Sequence, residues 1–213
     1  MVTAVLLMAG QGSRMNLQKN KVFLSLGDKM IYQYSLDLFL KNGFEVVCVI
    51  KEEEKKYLLD YIDKIKIITG GSTRQESVIN GISVASGDYV LIHDAARPFI
   101  NQELIDKCLL SIEKEECLLV AKESKDSVYS KQPFSSINRD NIYLAQTPQG
   151  APKELLIDCH KKAQVDGYQA TDDISLVLKY SNKEVNIIKG TENNFKITTQ
   201  LDYVIAKELI KNV

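Results

Sequence analysis

The tightest constraint on this chain lies at its start. Residues 3–8 form an unbroken apolar run that closes on Gly10 and Gly12. A strand buried on both faces reads this way, because it lacks the polar alternation of a half-exposed one. The alternation of short apolar runs with longer amphipathic ones then continues. Residues 30–42 place Ile31, Tyr34, Leu38 and Phe39 at helical spacing, with Gly43 as the stop. Residues 44–50 and 65–69 predict two more strands, and 52–63 a helix between them. Ser72 or Thr73 caps a helix reaching about residue 86, 89–93 is a fourth strand, 101–115 the next helix and 117–122 a fifth strand. This βαβαβα order predicts an α/β fold with a mostly parallel sheet covered on both faces.

Residues 123–145 break the rhythm. They are polar, with short strands expected at 127–129 and 142–144. About 20 residues is long for a loop inside a compact domain, so the segment reads as an extended β-arm. Helical patterns return at 152–163 and 171–180, followed by a strand at 185–189 and a last helix over 199–211. No repeat or linker interrupts the chain, and residues 1–213 read as one domain.

Composition excludes several functions. Lys+Arg number 27 against 28 Asp+Glu, so no global field exists for gripping nucleic acid. Two histidines cannot build a three-His zinc site. Four scattered cysteines without a CxxC pair read as reduced thiols of a cytoplasmic protein. No stretch approaches the roughly 20 apolar residues of a membrane span. The N-terminus has no basic region before its apolar run and reads as a strand, not a signal peptide.

Three polar features fall at strand ends, where open α/β sheets bind ligands. The first is Ala9-Gly10-Gln11-Gly12-Ser13-Arg14-Met15, whose backbone can approach phosphate oxygens. Met15 breaks the dinucleotide fingerprint, and the pattern is not a Walker loop. Lys19 and Lys21 add two cations, and a triphosphate clamp competes here with a solvated basic loop. The second is Gly70-Gly71-Ser72-Thr73-Arg74-Gln75-Glu76-Ser77, which suits a flat base but also reads as helix capping, with Glu76 set for a capping box with Thr73. The third is His93-Asp94-Ala95-Ala96-Arg97-Pro98, where Asp94 is a natural Mg²⁺ ligand and His93 a packed residue. Thr171-Asp172-Asp173 reads as a helix cap. Nothing in the pattern itself singles out Arg139 or Lys196.

Together, AGQGSRM (9–15), GGSTRQESVINGI (70–82), HDAARPF (93–99), QTPQ (146–149), TDDIS (171–175) and NNFKIT (193–198) resemble the 2-C-methyl-D-erythritol 4-phosphate cytidylyltransferases of the non-mevalonate isoprenoid pathway. The resemblance implies a three-layer Rossmann-like nucleotidyltransferase fold with a protruding β-arm that exchanges within a homodimer. It implies transfer of CMP from CTP to the polyol phosphate with Mg²⁺, in the cytoplasm, or in the plastid stroma for a processed precursor. It places transition-state cations at Arg14 and Lys21 and the metal carboxylate at Asp94. Nucleotide contacts fall on Ala9, Gly10, Gly12, Gly71, Ser72, Ser77 and Ala95. Arg139 and Lys196 join the catalytic set through contacts to the sugar phosphate, which Arg97, Ser127, Thr147 and Thr171 share. The chain departs from the family at Met8, where Ala is common, and at Asn20-Lys21-Val22, where Pro-Lys-Gln is usual. A ribitol-5-phosphate cytidylyltransferase and a catalytically silent nucleotide-binding module are the alternatives.

Overall fold

The computed structural model describes residues 1–10 and 19–212. Strand β1 (Val2–Leu7) lies inside a sheet of seven strands, and Ala4, Val5 and Leu6 have no solvent exposure. It pairs in parallel with β4 (Glu45–Ile50) on one side and β6 (Tyr89–Asp94) on the other. A short antiparallel ribbon of β2 (Ser25–Leu26) and β3 (Lys29–Met30) precedes helix α1 (Ile31–Lys41). Gly43, at φ 73°, ends that helix as the sequence predicts. Strand β5 (Lys66–Thr69) closes one edge beside β4.

Helix α2 (Arg74–Ser83) follows β5, and α3 (Gln102–Glu113), capped by Asn101, leads into β7 (Cys117–Glu123). The sheet covers both its faces. Leu36 and Phe39 of α1 and Leu104, Ile105 and Cys108 of α3 pack with Leu6, Cys48 and Leu91 on one face. Val78 and Ile82 of α2 meet Val5, Val47 and Val90 on the other. Helices α4 (Lys153–Val165) and α5 (Ile174–Tyr180) join that second layer through Leu156 and Val177. All four cysteines are free and buried. Among the described residues no helix is long and apolar enough to cross a membrane.

Residues 128–137 form an exposed hairpin, β8 (Val128–Lys131) with β9 (Phe134–Ile137). The chain returns as β10 (Tyr143–Pro152), a ten-residue strand that the sequence pattern reveals only at its first two positions. Pro148, Gly150 and Pro152 hide the rest, since these residues are poor strand formers. β10 runs antiparallel between β6 and β7, and its pairing with β7 shifts between Ala145 and Gln149. Strand β11 (Val185–Lys189) adds a parallel edge to β7, and helix α6 (Gln200–Leu209) closes the chain over Leu26 and Ile31.

The segment Glu52–Tyr61 also differs from expectation, being 3₁₀ rather than α-helical. Leu58 is its one fully buried apolar side chain, so little amphipathic packing is present to fix longer α-turns.

Helix α2 can sit close to the sheet because of Gly81. A Cβ there would stand 2.6 Å from Val5 Cγ1 and 2.8 Å from Val49 Cγ2. Gly81→Val is expected to lower stability by about 1–3 kcal/mol through overpacking. Urea unfolding checks this, and an unchanged midpoint would show that α2 shifts without cost.

Candidate active site

The carboxyl ends of β1, β4, β5 and β6 open into one cleft of about 610 Å³. Among the described residues, its lining brings Met8, Ala9 and Gly10 after β1 together with Gly70 and Gly71 after β5 and Asp94 at the tip of β6. Among the described residues, four cations, Lys21, Lys51, Arg74 and Lys196, line it with three acids, Glu52, Glu53 and Asp94. The slight overall negative charge therefore conceals a locally cationic cavity.

The end of the cleft at Ala9 and Gly71 is built by two glycine turns in contact. A Cβ on Gly70 would stand 2.7 Å from the Ala9 Cβ, so glycine is what allows the turns to touch. The turn is held by its own hydroxyls. Thr73 Oγ1 accepts from Glu76 N at 3.0 Å and starts α2. Ser77 Oγ accepts from Gly71 N at 3.1 Å and donates to the Thr73 carbonyl at 2.9 Å. The Glu76 carboxylate accepts from Ser72 N and Ser72 Oγ, one position earlier than a capping box with Thr73 requires.

At the other end, Asp94 is only 8% exposed. Lys196 Nζ reaches its Oδ2 at 2.8 Å, and Arg97 Nε stands 3.8 Å from the same oxygen. Burial alone would raise the Asp94 pKa. Lys196, Arg74 and Arg97 outweigh it and hold the carboxyl well below the usual carboxylate range. Arg97 is itself buried and donates from Nη1 to the Asn194 carbonyl at 2.7 Å.

His93 and Thr147 fix the backbone behind Asp94. Asp94 N donates to Thr147 Oγ1 at 3.1 Å, and that oxygen lies 2.9 Å from His93 Nδ1. His93 Nε2 lies 3.2 Å from the Arg97 carbonyl, which can only accept. The tautomer is therefore set: Nε2–H donates to Arg97 O, and Nδ1 accepts from the Thr147 hydroxyl. Burial pushes the imidazole pKa down to about 4 against the pull of Asp94, which keeps the ring neutral. His93 is a packed positioning residue with both nitrogens engaged.

Arg74, which the sequence did not single out, bridges two parts of the site. It lines the cleft and makes two bonds to Asp173, at 3.0 and 2.6 Å. Gln149 Oε1 accepts from Asp173 N and Ile174 N, at 2.9 and 3.1 Å. The start of α5 is thus held by a side chain of β10, while Asp172 Oδ1 accepts from Ser175 N at 2.9 Å. The acids of the TDD element divide the work, one capping and one bridging.

Ala9, Gly10, Lys21, Gly71, Ser72, Ser77, Asp94 and Lys196 line the cleft together. Ala95 is fully buried, with Ala96 at the wall instead. Thr147 is buried, as described, and Thr171 is exposed ahead of α5. Ser127 and Arg139 lie on the exposed hairpin segment, where Arg139 Nη1 donates to the Lys125 carbonyl at 2.8 Å, and the chain's own fold does not bring them to the cleft. Arg14 and Gly12 lie outside the described residues.

The family model for 2-C-methyl-D-erythritol 4-phosphate cytidylyltransferase matches residues 2–212. Curated proteins of that name from Prochlorococcus marinus and Bacillus cereus are 39% and 35% identical. The first match covers 96% of both chains, the second 99% of this chain and 98% of the relative. The crystal structure of 4-diphosphocytidyl-2C-methyl-D-erythritol synthase from Anaerococcus prevotii superposes with a TM-score of 0.86 at 27% identity, over 99% of this chain and 98% of that one. The 2-C-methyl-D-erythritol 4-phosphate cytidylyltransferase of Thermus thermophilus gives 0.83 at 28%, over 99% and 100%.

The neutral His93 predicts an acid-sensitive fold. An unfolded histidine titrates near 6.5, and the buried one near 4. As pH falls below about 6.5, the unfolded chain binds a proton that the folded one refuses, so stability drops until about pH 4. Urea midpoints between pH 7 and 4.5 should fall in the wild type. They should fall less steeply in His93→Asn, by on the order of 1 kcal/mol per pH unit. Parallel curves for the two proteins would rule out the neutral buried ring.

Proposed function

The chain belongs to the 2-C-methyl-D-erythritol 4-phosphate cytidylyltransferase family, and from that membership we propose how its own residues divide the work. The enzyme transfers the cytidylyl group of CTP to 2-C-methyl-D-erythritol 4-phosphate in isoprenoid biosynthesis. The observation that carries the residue roles is the cleft itself. A glycine-lined end suited to a nucleoside adjoins an end where Lys21, Lys196 and Asp94 gather.

The nucleophile is an oxygen of the substrate's phosphate monoester. Its second pKa is about 6, so it arrives largely ionised and needs no protein base. This agrees with His93, whose two nitrogens are engaged within the fold. The phosphate oxygen forms a bond to the α-phosphorus of CTP, and the bond to the bridging oxygen breaks. Pyrophosphate leaves with that electron pair. The barrier is the approach of one anion to another, and preorganised cations lower it. Lys21 and Arg14 neutralise charge developing on the triphosphate. Lys196, fixed by Asp94, faces the incoming sugar phosphate. Ala9, Gly10, Gly71, Ser72 and Ser77, which line the cleft, surround the nucleotide, while Gly12 and the fully buried Ala95 are assigned to it by family membership alone; Arg97, Thr147 and Thr171 shape the sugar-phosphate side.

Asp94 also fits a Mg²⁺ ion. Mg²⁺ commonly takes one or two carboxylates and completes its shell with phosphate oxygens and water. A single carboxylate at a strand tip suits that mode. When bound there, the ion supplies charge neutralisation on the triphosphate. The hairpin supports a homodimer in which Ser127 and Arg139 serve the neighbouring subunit's cleft. Phe134 and Tyr129 stack at 5.5 Å while 80% and 56% exposed, an apolar surface that a partner would cover.

Pyrophosphate release, measured for the four NTPs crossed with methylerythritol phosphate and ribitol phosphate, tests the reading. Turnover should be confined to CTP with methylerythritol phosphate. CTP binding without turnover on either polyol would instead indicate a silent module. Lys21→Ala and Arg14→Ala should each lose on the order of 10²–10³ in kcat while folding normally. Arg139→Ala should mainly raise KM for the sugar phosphate. A change confined to the KM for CTP would remove the arm from that role.

A further inference from the structure

Lys21 stands on a segment with little regular structure of its own, a single 3₁₀ turn over Lys21–Phe23. Its placement depends on the residue before it. Asn20 is 8% exposed and makes contacts in three directions. Its Oδ1 accepts from Val22 N at 3.4 Å and starts the turn. Its Nδ2 donates to the Met8 carbonyl at 2.5 Å, at the end of β1, and to Glu54 Oε2 at 3.3 Å. Glu54 is 7% exposed, and the same Oε2 accepts from Lys51 N at 3.3 Å. One side-chain amide thus ties three separate stretches of chain: the end of β1, the turn that carries Lys21 and the 3₁₀ segment after β4.

The surroundings reinforce this tie. Phe23 stacks on Tyr57 at 4.4 Å, and Lys19 Nζ sits 4.5 Å above the other ring's centre. Met8 and Val22 are buried in one apolar cluster with Phe23. Met8, Asn20 and Val22 thus share one contact region. Removal of either Asn20 or Glu54 takes a hydrogen bond from the other, leaving Asn20 Nδ2 with the Met8 carbonyl and Glu54 Oε2 with Lys51 N.

We propose that Asn20 and Glu54 form a latch that positions Lys21 in the cleft, making them positioning residues for cytidylyl transfer. This rests on the reading of Lys21 as a transition-state cation. If Lys21 acts mainly in the transition state, its misplacement lowers kcat and leaves substrate binding nearly unchanged. The two latch residues act as a unit, so their effects should not add.

The test is steady-state kinetics on Asn20→Ala, Glu54→Ala, the double variant, Glu54→Gln and Asn20→Pro, with Lys21→Ala as reference and folding followed by circular dichroism. Each alanine variant is expected to lose about tenfold in kcat with KM for CTP within about twofold, and the double variant no more than the worse single one. Glu54→Gln keeps an oxygen acceptor and should restore most of kcat. Asn20 has φ −61°, which proline adopts, so Asn20→Pro should recover part of the loss through backbone restraint alone. Adding Glu54→Ala to Asn20→Pro should then cost little more. If both alanine variants turn over normally while Lys21→Ala loses at least a hundredfold, the latch is overturned and the role of Lys21 stands. Normal turnover in Lys21→Ala overturns that role and the latch together. Equal losses in kcat and CTP affinity, or additive losses in the double variant, assign the pair a general structural role instead. Should Asn20→Ala fail to fold, Glu54→Gln against Glu54→Ala decides the same question.

Discussion

The site depends on one buried negative charge. A carboxylate withdrawn from water costs several kcal/mol unless cations and hydrogen bonds surround it. Asp94 meets that requirement with Lys196 at 2.8 Å, and with Arg97 and Arg74 farther off. Those cations must in turn be held. Arg97 is held by the Asn194 carbonyl, Arg74 by Asp173, and Asn194 by the Thr147 carbonyl. Residues 190–199, which have little regular secondary structure, are held by this set of polar contacts together with the buried Ile197 and the stacking of Phe195 on Phe99. Ile197 N adds a bond to Ala96 O at 2.9 Å and closes it over the cleft. A demand for charge compensation at one strand tip therefore organises four separate segments.

That demand also suits the chemistry. The phosphate nucleophile arrives charged, so the protein's task is to gather cations without neutralising them among themselves. A cation paired to a buried carboxylate is fixed in direction and loses less freedom when a phosphate approaches. The histidine nearest the site has both ring nitrogens engaged within the fold. Its neutral ring orients the Thr147 hydroxyl and the Arg97 backbone. These contacts are what the proposed catalysis by placed charge, without a titrating base, rests on.

Much of the fold was legible from the chain because it is locally encoded. The continuous apolar run of β1, the glycine stop after α1 and the Thr73 cap of α2 each announce themselves within a few residues. β10 did not, because Pro148 and Gly150 obscure it and its partners are strands distant in sequence. The site divides the same way. Glycine turns and a strand-tip aspartate carry a local signal with a physical meaning. Lys196 and Arg139 carry none, and only resemblance pointed to them. Arg74, Gln149, Asn20 and Glu54 owe their roles to pairings across 34 to 99 residues, or in one case 24, which no local pattern displays.

The direction of β10 has a consequence for how such an enzyme can change over time. Because β10 is antiparallel to β7, and Tyr143 pairs with Glu123, the intervening arm is topologically the loop of a single hairpin. A parallel return would have required a crossover helix packed on the sheet. Lengthening an arm of this kind costs only loop-closure entropy, which grows slowly with length. The arm can therefore lengthen at its tip while the strands that frame Asp94 keep their register. The molecule thus joins a sheet whose register is set by several neighbouring strands to a hairpin held to it only at the Tyr143–Glu123 end.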